Sequence, residues 1–401
     1  MNPERVEADY LIETAYEPLA AAAAMAGEQS SGTFVAVPGE TPELKERAAA
    51  RVESLRVVEE VATPSLPGAG QPTDDPGGPI VRAEVTLSWP LSNFGTSLPN
   101  LMATVAGNLF ELQQFSGLRL LDLRLPTAFA EGYPGPRFGV DGTRRLTGIH
   151  GRPLIGTIIK PSVGLSPEAT ADLVRVLAEA DIDFIKDDEL QADGPHCPFM
   201  QRTRAVLRVV DDVAQHKGRK VMYAANLTGD IDEMRRRHDL VLELGGTCVM
   251  ASLNSVGLAG MIALARHTEL PIHGHRNGWG YLSRHPLLGF SYVAWQKFWR
   301  LAGVDHLHVN GLANKFSEGD ESVIASARAC LAPMFEEKPC IVMPVFSSGQ
   351  TARQVPGTYA ALQSTDLIFA AGGGILANPG GPGEGVRVLR EAWEAAIRGG
   401  D

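Results

Sequence analysis

From Leu154 onward, eight short apolar runs alternate with segments of helical period: Leu154–Ile159, Phe184–Ile185, Val221–Leu227, Cys248–Leu253, Pro271–His275, His306–Val309, Cys340–Phe346 and Leu367–Ala371. Between and after them lie stretches such as Pro167–Ala180, Phe199–Gln215, Ile231–Leu244, Leu258–His267, Tyr292–Ala302, Glu321–Leu331 and Val386–Ile397. Eight strand–helix units in about 250 residues are the count and length of a (β/α)8 barrel. The competing doubly wound sheet lacks support, because no glycine-rich dinucleotide fingerprint follows the first strand. The expected fold class is therefore α/β, a C-terminal (β/α)8 TIM barrel over residues 144–401.

The preceding residues, 1–143, read differently. A Pro- and Gly-rich connection, Thr63–Pro79, precedes an expected strand, Ile80–Trp89, and helices are expected over Glu43–Arg51 and Leu98–Gln114. Strands and helices without a repeat predict a smaller α+β domain.

A barrel places its active site at the C-terminal ends of its strands, and here all eight ends are polar. They carry in turn Lys160; Lys186 to Glu189; Asn226; Asn254; His273, His275 and Arg276; His306 and His308; Ser347 to Gly349; and Gly372 to Gly374. The second end is the most demanding. Phe184-Ile185-Lys186-Asp187-Asp188-Glu189 runs a short strand into a cation and three carboxylates, costly to bury unless compensated. Alternation turns Lys186 and Asp188 to one face and Asp187 to the other. Carbamylation of Lys186 by carbon dioxide turns the amine into an anionic oxygen ligand, which with Asp188 and Glu189 suits Mg2+. The alternative is a solvated turn with a local salt bridge.

Other roles follow from side-chain chemistry. The turn holding Gly372 and Gly373 either leaves backbone N–H groups for a phosphate or is a plain tight turn. Arg276, His308 and Ser347 form a second expected anion site. His275 is a proton relay or a satisfied core histidine, and His273 and His306 read as structural. Lys160, near a metal and partly desolvated, suits acid–base work. Lys315, in the flexible-looking Asn310–Lys315 loop, is a lid lysine or a solvated one.

Composition bounds the rest. Net charge is −11 over 401 residues, which argues against nucleic acid as the main partner. No run approaches the roughly 20 apolar residues of a membrane span, and Leu19–Ala26 reads as no secretory signal. The four cysteines have neither zinc nor C-x-x-C spacing, as expected of reduced thiols in a cytoplasmic protein.

These motifs resemble the Rubisco superfamily, specifically its Rubisco-like proteins, over nearly the whole chain. Gly156–Pro161 is similar to the family's catalytic-lysine motif and Phe184–Glu189 to its carbamylated-lysine and metal motif. His273–Arg276, His306–His308 with Lys315, Ser347–Gly349 and Gly372–Gly374 resemble the later strands and phosphate loops. Gly135–Gly139 resembles the interdomain segment. Glu28–Thr33 and Gly107-Asn108 resemble segments that a neighbouring subunit lends, so the resemblance implies a homodimer or higher even oligomer in which Glu28, Thr33 and Asn108 complete a partner's site.

Departures accompany the likeness: Ser162, Trp279, Phe34 and Ser317 stand where a carboxylase has lysine, histidine, tryptophan and an acid. The resemblance thus implies not carbon dioxide fixation but retained enolate chemistry, with Lys160, His275 and Lys315 catalytic. Ser30–Phe34 and His273–Trp279 resemble most the branch that decarboxylates a phosphorylated sugar acid, 3-oxo-isoapionate 4-phosphate, through a Mg2+-stabilised enediolate. The alternatives are a methionine-salvage enolase or isomerase, acting on 2,3-diketo-5-methylthiopentyl-1-phosphate or methylthioribulose 1-phosphate, and a non-catalytic regulatory subunit.

Overall fold

A computed structural model describes residues 4–32, 38–73 and 77–399. The chain divides into two compact units, Met1–Tyr133 with Trp279–Phe298, and Pro134–Gly278 with Trp299–Asp401.

The first unit is a mixed sheet. β1 (Arg5–Thr14), β2 (Arg51–Val61), β3 (Ile80–Pro90) and β4 (Gly117–Arg124) pair antiparallel. Leu288–Phe290, β10 in chain order, adds to β4 in parallel, giving the order β10-β4-β1-β3-β2. Alternation explains β1: Val6, Ala8, Tyr10 and Ile12 are buried and the residues between them half-exposed. The expected strand at Ile80 is β3, and the helix expected from Glu43 is Pro42–Ala48. The helix expected over Leu98–Gln114 ends at Val105, because Gly107 takes φ +37° and a Cβ there would lie 2.4 Å from the Ala103 carbonyl oxygen. β1, β2, β4 and β10 were not foreseen. The residues expected to form one N-terminal domain ending at 143 thus meet a division at Tyr133, with one piece arriving from beyond the fifth barrel strand.

The second unit is a closed parallel barrel. Its strands are β5 (Leu154–Ile158), β6 (Phe184–Lys186), β7 (Met222–Asn226), β8 (Cys248–Ser252), β9 (Ile272–His275), β11 (His306–His308), β12 (Met343–Phe346) and β13 (Ile368–Ala370). They close in that order, β13 pairing with β5. All eight fall within or at the expected apolar runs. Inward residues Leu154, Phe184, Met222, Cys248, Met343 and Ile368 belong to one buried cluster. Burying so much aliphatic and aromatic surface, at about 25 cal/mol per Å2, makes a packed floor for the polar strand ends.

Candidate active site

The period of two that builds the barrel floor also places its site. Phe184 fills the barrel interior, so Lys186, two residues on, projects inward as well. Its side chain is wholly buried. Nζ donates to the Asp187 carbonyl oxygen at 2.8 Å and lies 3.5 Å from Glu189 Oε2. Burial lowers the Lys186 pKa against the opposing pull of Glu189 and Asp188, which favours the neutral, nucleophilic amine.

Asp188 is buried, and its Oδ2 accepts from Lys160 Nζ at 2.6 Å. Lys160 also donates to Ser162 Oγ at 2.8 Å, so the serine at the departed lysine position holds the remaining one. Glu189 Oε2 lies 3.5 Å from His275 Nε2. Burial raises the Glu189 pKa, but His275, Lys186 and Lys160 outweigh it and hold the group below the usual carboxylate range. His275 is lowered to about 4, chiefly by burial. Two carboxylates, an amine whose pKa burial lowers and an imidazole lowered to about 4 therefore converge. This donor set fits a hard divalent cation once the amine bears a carboxylate; two carboxylates alone leave it short of oxygen ligands.

Asp187 points outward, as alternation predicts, and is equally buried. Its Oδ2 accepts from Arg202 Nη2 at 3.2 Å and from the Asn226 backbone N–H at 2.9 Å, while Tyr223 Oη donates to Oδ1. Asn226 Nδ2 donates to the carbonyl oxygens of Asp188 and Glu189, each at 3.2 Å. The carboxylate-bearing turn is thus anchored from behind. Neither Arg202 nor Tyr223 is signalled by the sequence, beyond the alternation that turns Asp187 away from the barrel interior.

Histidines occupy two inward layers. His273 and His306 flank Phe184, with ring centroids 5.0 and 6.1 Å from it, and are wholly buried, in keeping with a structural role. Above them, His275 and His308 stand 4.5 Å apart. His308 Nε2 is 2.7 Å from His273 Nε2, and Nδ1 is 3.0 Å from Ser347 Oγ. Burial lowers the pKa of both His273 and His308.

Arg276 pairs with Glu318, Nη2 to Oε2 at 2.5 Å. No local pattern in the sequence signals this partner. Lys315 is exposed, its amine 5.2 Å over the Phe316 ring and its backbone N–H donating to the Ser348 carbonyl oxygen at 3.3 Å. The loop around it, expected to be flexible, is laced by Asn314 Nδ2 donating to the Gly311 and Glu318 carbonyl oxygens. Gly349 lies beside this loop, with φ +86°. Gly372 and Gly373 open the short helix Gly372–Leu376, and a Cβ on Gly373 would meet nothing within 4 Å.

In the first unit, Asn108 Nδ2 lies 3.4 Å from Glu28 Oε1, so these two expected site residues are neighbours. Thr33, the third, lies outside the described residues. Among the described residues, one group of three histidine, cysteine or acidic side chains gathers its ligand atoms within 4.8 Å: His238, Asp239 and His267. It makes a poor cation site, since His238 Nε2 accepts the Glu269 backbone N–H at 3.2 Å. The proton must then sit on Nδ1, facing Asp239 at 3.0 Å. No helix among the described residues is long and apolar enough to cross a membrane.

The sequence matches the family models for the ribulose bisphosphate carboxylase large chain, N-terminal domain over residues 8–129 and catalytic domain over residues 139–401. The chain belongs to the Rubisco large-chain family. It is 61% identical over 99% of its length, and 94% of the relative's, to a 3-oxo-isoapionate-4-phosphate transcarboxylase/hydrolase of Xanthobacter autotrophicus. It is 45% identical to a 3-oxo-isoapionate-4-phosphate decarboxylase of Rhizobium rhizogenes, covering 97% of this chain and 92% of that one. The crystal structure of a Rubisco-like protein from Burkholderia fungorum superposes with a TM-score of 0.93 at 50% identity, covering 98% of this chain and 95% of that one.

Proposed function

We propose that this chain is a Mg2+-dependent enzyme acting on 3-oxo-isoapionate 4-phosphate. The observation that carries the reading is the convergence of Lys186, Asp188, Glu189, Lys160 and His275 at the barrel strand ends, in a family whose similar members bear that substrate in their names. The buried Lys186 is the carbamylation site, and its carbamate, Asp188 and Glu189 would hold the ion. When bound, Mg2+ supplies charge stabilisation for an oxygen that turns negative.

The substrate is a β-keto acid. Its carboxyl-bearing C–C bond breaks heterolytically: the carboxyl leaves as carbon dioxide, and the bond's electron pair passes to the ketone oxygen as an enediolate. Neutral His275 accepts or returns the hydroxyl proton next to that oxygen. Lys160, held by Asp188 and Ser162, delivers a proton to carbon. The Gly372-Gly373 turn takes the phosphate through its backbone N–H groups, and Lys315 helps to exclude water. Glu28, Thr33 and Asn108 of one protomer complete its partner's site in a homodimer or a larger even assembly in the cytoplasm.

Greater identity to the transcarboxylase/hydrolase ranks that outcome first. In it, the carbon dioxide stays in the pocket, a proton shift makes the neighbouring enediolate carbon the nucleophile, and that carbon bonds to the carbon dioxide. Water then adds to the adjacent ketone and breaks its bond to the carboxylated carbon, which takes a proton, leaving two acids. The relatives named decarboxylase support a second reading, in which carbon dioxide departs and Lys160 protonates the carbanion. Substrate labelled with 13C at the carboxyl separates them. Label retained in an organic acid supports transfer with hydrolysis, and label released as carbon dioxide supports decarboxylation. Unchanged substrate with Mg2+ and bicarbonate present defeats both.

A further inference from the structure

Glu318 leaves the loop after β11 and returns its carboxylate to the end of β9. Oε2 accepts from Arg276 Nη2 at 2.5 Å and from Asn310 Nδ2 at 2.7 Å, while Oε1 accepts from Ser322 Oγ at 2.8 Å. The side chains of Arg276 and Glu318 are only 7% and 12% exposed, so this is not a solvent-screened surface pair. The donors continue beyond it: Ser348 Oγ donates to Asn310 Oδ1 at 2.8 Å, Ser347 Oγ is 3.4 Å from Ser348 Oγ, and His308 joins Ser347. A guanidinium, an amide and a hydroxyl gathered on one oxyanion are the donor set of a phosphate or carboxylate site. Here the oxyanion is the chain's own. Its position is fixed as well, since the Glu318 carbonyl oxygen accepts from Asn314 and Asp320 Oδ1 accepts the Ala313 N–H at 2.7 Å.

We propose that Glu318 is the built-in occupant of the Arg276 anion site and restricts the substrate to a single phosphate. This rests on the reading that a phosphorylated sugar acid is the substrate, and it specifies that substrate's charge. A second phosphate brought to Arg276 meets a carboxylate already seated there. It must either bind beside a like charge or displace a shielded ion pair together with two further hydrogen bonds, and both penalise a bisphosphate. Sequence analysis noted serine at position 317, where an acid was expected; the acid one residue later is the one that reaches Arg276.

Isothermal titration of the full chain with a ketopentose monophosphate and the bisphosphate of the same skeleton tests this without turnover. The wild type should bind the monophosphate at least as tightly as the bisphosphate. The near-isosteric Glu318→Gln should tighten bisphosphate binding about tenfold or more and change monophosphate binding by less than about twofold. A wild type that prefers the bisphosphate by about tenfold, one that binds neither ligand, or a folded variant that gains nothing would each overturn the proposal. Should Glu318→Gln not fold, the two ligands compared on the wild type still decide. The labelled-carboxyl assay reads the substrate separately: its failure beside a preserved monophosphate preference removes the named sugar acid and leaves the charge rule standing.

Discussion

In the proposed mechanism, Lys186 is the residue on which the chemistry turns. A wholly buried amine with two carboxylates nearby has two stable fates: remain an ammonium paired to them, or become neutral and react. Its first contact is a backbone carbonyl at 2.8 Å, with Glu189 no nearer than 3.5 Å, and burial lowers its pKa. The second fate is therefore accessible. Asp188 is meanwhile held by Lys160, which compensates the carboxylate in the absence of the proposed cation. Lys186→Met retains length and apolar volume and removes the nitrogen. Turnover should fall by at least about a hundredfold, and Mg2+ binding measured calorimetrically in bicarbonate buffer should be lost. The thermal midpoint should move by only a few degrees, roughly the effect of 1 kcal/mol or less in a chain this long. Undiminished turnover in Lys186→Met would remove the carbamate from the mechanism.

At the scale of elements, β6 is held in register from outside the barrel. Asp187, immediately after its last residue and facing outward, binds Arg202 of the helix Phe199–Lys217 and Tyr223 of β7. Arg202→Ala leaves the buried Asp187 carboxylate without its cation and should cost about 3–5 kcal/mol in urea unfolding. Tyr223→Phe, removing one donor of several, should cost about 1–3 kcal/mol. Because both act on one carboxylate, the double variant should lose less than the sum; strict additivity would show that Asp187 is not their shared partner.

The inward half of this arrangement was legible in the sequence, because Lys186 and Asp188 share a strand face with an apolar floor and all eight barrel strands end in polar residues. The outward half was not. Alternation shows that Asp187 faces away, but no local pattern says that the residue it meets is Arg202, across the barrel wall. Glu318 escaped for the same reason, since a loop acid does not announce which cation it will reach. In the first unit, β2 was missed because nearly every residue on both its faces is exposed or half-exposed, which erases the period-two signal. β10 was missed because a three-residue strand carries too little pattern of its own and pairs with β4, far away in sequence.

Across the whole molecule, the histidines stacked in the barrel tie stability to pH. Burial depresses His273, His275, His306 and His308, with His306 at about 3 and His275 at about 4 against an ordinary 6.5. Above pH 6.5 these rings are neutral in both states and cost nothing. As pH falls through 6.5, the unfolded chain takes up protons that the folded barrel refuses, so stability declines until the folded values are reached. Each histidine contributes at most about 1.4 kcal/mol per pH unit. Asp305 works against them: burial raises it to about 6 from 3.8, despite the backbone N–H groups of Phe138, Gly139 and Ile272. Between those values it keeps a proton that the unfolded chain has lost, which offsets about one histidine. Glu189 and Glu13, held below their ordinary 4.5, act in a more acid range. The net expectation is a urea midpoint that falls steadily from pH 6.5 to 5. His306, facing Phe184, His273 and the Thr143 hydroxyl at 2.8 Å, gives the clean variant because it lies below the layer of His275 and His308. His306→Gln should flatten the slope by up to about 1.4 kcal/mol per pH unit. A wild-type midpoint that stays level across this range would mean that protons reach the buried rings without unfolding the barrel.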